Sequence, residues 1–200
     1  MRAKPPWGTD MTWERRARWQ DIQPGDVWSV RSNSFLSFLI RVFSHGKWNH
    51  SGLVLDRDFD GNLWNIEALS KIERTPLSDY RAEFERGGLA VFRVPAPFSC
   101  VGPALIKIRE ELGGAYGWLS TGSLAVILPL NRLLNDLGIN RQIPTPFRAH
   151  LKCSELVLVY LLYVASEADK RRLDLPGLDW VWEVPDRESF TPADLVAECS

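Results

Sequence analysis

Few side chains in this 200-residue sequence can serve as a nucleophile with a base beside it: the cysteines are Cys100, Cys153 and Cys199, and the histidines are His45, His50 and His150. Cys153 stands out by its position. The stretch Lys152-Cys153-Ser154-Glu155-Leu156-Val157 opens an apolar run continuing through Val164, with no Gly or Pro before Pro176. That pattern predicts a largely buried helix with Cys153 at its mouth. Unpaired N–H groups and the positive end of the helix dipole gather there. Such surroundings can bring a thiol from a pKa of roughly 8.5 to between about 3.5 and 7.5, making it a thiolate at neutral pH. The same N–H groups can hold an oxyanion. A helix-start cysteine can equally be a small buried hydrophobe, so the presence of a base decides between the two readings.

Acyl transfer by a thiolate needs an imidazole to shuttle the proton and a group to orient that imidazole. His45 sits in a Ser-His-Gly turn, an exposed kind of position, and His150 lies in a loop shortly before Cys153. His50 opens a strand beside small Ser51 and Gly52, which leaves room for a substrate or another backbone. Glu67 is the first choice of orienting acid: it follows Trp64 and Ile66 in the centre of a strand, where carboxylates seldom stand unless paired. Glu73 is the alternative.

These residues must be positioned by their elements. His50–Leu55 and Leu63–Ala68 read as two strands around Asp58-Phe59-Asp60-Gly61-Asn62, and Asp-Gly between apolar runs is a strong hairpin signal. With Asp60 and Gly61 as the central pair, His50 faces position 71 and Glu67 shares its face. Glu67 then lies about four residues away, on the order of 13 Å at roughly 3.3 Å per residue. A longer loop, a bulge or strand twist would have to close that gap. On the register alone, Glu73 is nearer.

Elsewhere, residues 1–22 read as a loose arm and a short amphipathic helix carrying Trp7, Trp13 and Trp19, and residues 23–200 as one domain. Pro24-Gly25-Asp26 marks a turn before a strand over Val27–Val30, and Phe35–Phe43 fits one helical face. A polar helix near Leu77–Phe84, a strand Leu89–Val94 and a helix from about Val101 to Leu112 follow. The apolar stretch Leu119–Leu137 is broken by Pro129, and Thr191-Pro192-Ala193 reads as the start of a short final helix.

Composition narrows the function classes. Net charge is −1, so nothing global attracts nucleic acid or an anionic membrane. The cysteines are odd in number and far apart, without a C-x-x-C pair, which argues against a zinc site or a disulfide framework; no metal or other cofactor is expected. The start, Met1-Arg2-Ala3-Lys4-Pro5-Pro6-Trp7, lacks the apolar core of a signal peptide and no stretch reaches the length of a membrane span, so the expected compartment is the cytoplasm, with release by lysis or phage delivery as a further route.

Six fragments in order carry a family resemblance: Pro24-Gly25-Asp26-Val27, Asn49-His50-Ser51-Gly52-Leu53-Val54, Ile66-Glu67-Ala68, Gly113-Gly114-Ala115-Tyr116, Cys153-Ser154-Glu155-Leu156-Val157 and Thr191-Pro192-Ala193-Asp194-Leu195. The set resembles the circularly permuted papain-like hydrolases, relatives of the NlpC-type cell-wall peptidases that include lecithin:retinol-acyltransferase-like enzymes. The histidine and acid strands precede the cysteine helix here, as in that permuted branch. The resemblance implies an α+β fold, an antiparallel sheet packed against a central helix that carries the nucleophile. It implies Cys153 as nucleophile, His50 as base and Glu67 as orienting residue, with Tyr116 beside the oxyanion. Gly117 departs from the acidic residue that relatives often carry.

The expected activity is cleavage of an amide bond, in a peptidoglycan stem peptide or an N-acyl compound, by a bacterial or phage cysteine amidase. Acyl transfer or ester hydrolysis on lipid is the variant on the same fold. A catalytically silent binding or assembly module is the alternative.

Overall fold

The computed structural model describes residues 13–31, 48–69, 71–113, 153–184, 195–197 and 199. The expected helix over 35–43, the stretch 114–152 and the start of the final helix at 191–194 lie outside the described residues. The fold is α+β. Its elements are β1 (Glu14–Arg15), β2 (Val27–Val30), β3 (His50–Arg57), β4 (Leu63–Ala68), β5 (Ile72–Pro76), α1 (Arg81–Glu85), β6 (Leu89–Arg93), α2 (Phe98–Arg109), α3 (Cys153–Lys170) and α4 (Trp180–Glu183). The strands form one antiparallel sheet in the order β1-β6-β2-β3-β4-β5.

Both faces of the sheet are covered, so β2 is buried along its whole length instead of alternating. On the inner face Val27, Leu53, Leu55, Ile66, Ala68, Ile72, Ala90 and Phe92 pack with α2 and α3. On the outer face Trp28, Val30, Val54, Leu89 and Val91 pack under Ile22 and Leu77, with Trp19, Tyr80 and Phe84 at the margin. Helix α3 is buried on nearly every side, and only Glu155, Val159, Tyr163, Ser166 and Glu167 form a partly exposed strip before its last residues. Each fully buried side chain on it, such as Leu156 or Leu161, contributes about 1.5–3 kcal/mol relative to exposure.

The Pro24-Gly25-Asp26 turn ties the helices to the sheet. Gly25 has φ +93°, and a Cβ there would stand 2.4 Å from Val101 Cγ1 on α2. Its carbonyl accepts the Tyr160 hydroxyl of α3 at 3.0 Å, in a buried bond. Asp26, fully buried, accepts the Gln23 N–H at 2.9 Å and is paired with the Arg93 guanidinium.

Three expectations about elements are corrected. In the described part of the N-terminal stretch the expected amphipathic helix is reduced to a 3-10 turn, Trp19–Asp21, preceded by an edge strand in which Glu14 and Arg15 pair with Arg93 and Phe92. Trp13 Nε1 donates to the Gly177 carbonyl at 2.8 Å, and Trp19 packs edge-on to Phe84 at 5.5 Å. The open edge of β6 and the burial of these indoles outweigh the local helix preference. The β3–β4 connection is a five-residue loop, Asp58–Asn62, instead of a two-residue turn. The Asp58 carboxylate closes it by accepting N–H groups from Asp60, Asn62 and the Trp64 indole. Finally, α2 begins at Phe98, three residues before the expected start, directly after Pro97. No helix among the described residues is long and apolar enough to cross a membrane.

Candidate active site

Register decides whether His50 and Glu67 can meet. Arg57 pairs with Leu63 across the loop, and a bulge at Leu55 then slips the ladder by one more residue, so Glu67 stands opposite Gly52. The offset from His50 is therefore two residues, not four. Diagonal neighbours on one face of an antiparallel pair lie roughly 7–8 Å apart at the backbone, within reach of long side chains. Gly52 lies between them and leaves the path open. His50 Nε2 meets Glu67 Oε2 at 2.6 Å.

Glu67 is only 1% exposed, and three side chains hydrogen-bond its carboxylate. Oε2 also accepts the Tyr80 hydroxyl at 2.6 Å, and Oε1 accepts the Thr75 hydroxyl. Burial works to raise the Glu67 carboxyl, but the hydrogen bond and charge of His50, with the two hydroxyls, outweigh it and hold the group below the usual carboxylate range. Trp28 closes the outer side. Its ring stands edge-on to the His50 ring at 5.5 Å and tilted against Tyr80 at 4.7 Å, and its Nε1 donates to Asn65 Oδ1 at 3.2 Å.

The His50 ring also interacts with Cys153, and each group favours the charged form of the other. Cys153 is the first residue of α3 and is 8% exposed; its sulfur also accepts the backbone N–H groups of Ser51 and Ser154. Burial opposes ionisation of the thiol, yet the His50 hydrogen bond and charge and these two N–H groups lower its pKa below the ordinary value. Burial likewise opposes the imidazolium, but Cys153 and Glu67 together raise His50 from 6.5 to about 10. Both shifts run toward a thiolate–imidazolium pair backed by a carboxylate, the charge distribution a cysteine nucleophile needs.

Of the residues singled out in the sequence, Cys153, His50 and Glu67 thus come together, His50 bonded to Glu67 and interacting with Cys153. Glu73 does not join it. It stands across from Glu67 on β5, where its side chain is 30% exposed and pairs with Lys71 at 3.7 Å. Tyr116, His45 and His150 lie outside the described residues. Thr75, Tyr80 and Trp28 were missed by sequence reasoning. Thr75 could have been found from alternation with Glu73, had β5 been recognised as a strand; nothing local marks Tyr80. Among the described residues no group of three or more His, Cys, Asp or Glu is arranged to hold a metal.

No family model matches the chain, and no curated protein does. Among solved structures, metalloprotein yiiX from Escherichia coli O157:H7 is similar at 27% identity and a TM-score of 0.42, over 49% of this chain and 54% of that one. This chain therefore matches about half the length of that protein, and the functional reading rests on the geometry described above.

Proposed function

We propose that this protein is a thiol hydrolase of the circularly permuted papain-like type, cleaving an amide bond through an acyl-enzyme. The observation that carries the reading is the line from Cys153 through His50 to Glu67. The Cys153 thiolate attacks the substrate carbonyl carbon, and the developing oxyanion faces the N–H groups of the first turn of α3. As the tetrahedral species collapses, the C–N bond breaks and the His50 imidazolium gives its proton to the departing amine. His50, now neutral, takes a proton from water as that water attacks the thioester. The second collapse releases the carboxylic acid and returns the thiolate–imidazolium pair. Glu67 stays ionised throughout, fixing the tautomer and orientation of His50 and stabilising its cationic form. The substrate class is a peptide, such as a peptidoglycan stem, or an N-acyl compound.

Alkylation by iodoacetamide, read at the Cys153 peptide by mass spectrometry, tests the first requirement. Rapid labelling near pH 7 that is lost in His50→Ala supports the reading. Labelling of Cys153 as slow as that of buried Cys100, or indifferent to His50→Ala, refutes it.

A further inference from the structure

The orienting acid is itself held from two sides. Glu67 carries three side-chain torsions, and the last of these, which turns the carboxylate, is broad. One bond to His50 does not fix that plane. The structure supplies two more bonds from two different elements: Thr75 on β5 reaches Oε1, and Tyr80, in the 3-10 turn Leu77–Tyr80, reaches Oε2. Tyr80 shares Oε2 with His50 Nε2, each at 2.6 Å, and Trp28 packs against both rings. A hydroxyl that served only to tie the turn to the sheet could bond any backbone carbonyl. Both hydroxyls instead converge on one buried carboxylate.

We infer that Thr75 and Tyr80 are positioning residues, which act through Glu67 to keep His50 aimed at Cys153. This rests on the thiol-hydrolase reading and extends it outward by one layer of contacts. Without the Tyr80 hydroxyl the carboxylate plane turns about its remaining bonds, Nε2 loses its partner for part of the time, and the imidazolium that stabilises the thiolate is weakened. The titratable groups facing this cluster are Cys153 from α3, His50 from β3, Glu67 from β4, Glu73 from β5 and Tyr80 with Asp79 from the turn. Glu73 and Asp79 remain in every variant below, so a change in profile reports on the hydroxyls.

The test is the pH dependence of Cys153 alkylation in the full chain, for wild type, Tyr80→Phe, Thr75→Val and Thr75→Ser, with thermal melting measured in parallel. Tyr80→Phe and Thr75→Val are expected to move the alkylation midpoint up by about one pH unit. That corresponds to roughly tenfold slower labelling on the acid side of the midpoint, the scale of one hydrogen bond to a charged group. Thr75→Ser keeps the hydroxyl and is expected to restore the wild-type midpoint, whatever its melting temperature. Melting that falls in Tyr80→Phe and Thr75→Val while the midpoint stays at the wild-type value overturns the inference and leaves a structural role alone. The two levels separate cleanly. A low wild-type midpoint that rises in His50→Ala but not in Tyr80→Phe or Thr75→Val sinks this inference only. A wild-type midpoint at the ordinary thiol value sinks the underlying reading and this inference with it.

Discussion

Gly52 is the position where a single methyl group tests the whole arrangement. It lies between Trp28 of β2 and Glu67 of β4 in the ladder, with His50 two residues before it on the same face. A Cβ there would stand 2.5 Å from Trp28 Cζ2, 2.9 Å from Trp28 Cε2 and 3.0 Å from the Ile66 carbonyl oxygen. The oxygen belongs to the sheet backbone and cannot retreat. The indole is fully buried, held by Asn65, and packed against His50 and Tyr80. Gly52→Ala therefore overpacks a closed site, at a cost of about 1–3 kcal/mol. At about 2–4 °C per kcal/mol for a chain of this size, the melting temperature should fall by roughly 2–12 °C. Because the displaced indole pushes on the His50 ring, Cys153 alkylation near pH 7 should slow as well. The measurements are circular-dichroism melting and labelling of the Cys153 peptide. Gly61→Ala is the control: its φ is +84° and nothing lies within 4 Å of an added Cβ. It should lose about 1 kcal/mol through the left-handed backbone alone and label at the wild-type rate. A Gly52→Ala protein that melts and labels like wild type would refute the claim that this close approach shapes the site.

Two further outcomes are expected. The pH profile should be broad. Alkylation of Cys153 should rise through a midpoint below the ordinary thiol value, because its pKa is lowered, and turnover of an amide should decline near pH 10 as the imidazolium that protonates the leaving amine is lost. A rising limb at or above the ordinary thiol range would contradict the ion pair. Tyr160→Phe removes the buried hydroxyl that satisfies the Gly25 carbonyl, so stability in urea should fall by about 1–3 kcal/mol with no change in Cys153 labelling. A labelling defect in that variant would mean that the turn and the site are coupled.

How far the sequence could be read differs between elements for identifiable reasons. The α3 run was legible because length and near-continuous apolarity suffice to mark a buried helix, and Cys153 was legible because it begins that run. The β3–β4 hairpin was legible from Asp-Gly between apolar stretches, but its register was not. The loop length depends on the Asp58 carboxylate folding back onto three N–H groups, and the bulge at Leu55 has no local signature. Together they move Glu67 from four residues to two from His50, which is the difference between isolation and contact. β5 escaped notice because Glu73, Arg74 and Thr75 give it an unremarkable polar composition, and with it went Thr75. The two-residue β1 owes its existence to the edge of β6, a partner distant in the chain. Contacts of this kind become visible only when the strands are already in place.

The order of elements along the chain also has a consequence for how the protein is made. The six strands among the described residues lie between residues 14 and 93 and α2 follows at Phe98, whereas α3, which packs on the inner sheet face beside α2, begins only at Cys153. A ribosome thus delivers the base and its acid long before the thiol of Cys153. The corresponding hazard is that a chain stalled before residue 153 lacks the α3 side chains that pack with Val27, Leu53, Ile66 and Phe92, and apolar surface exposed in this way recruits chaperones or aggregates.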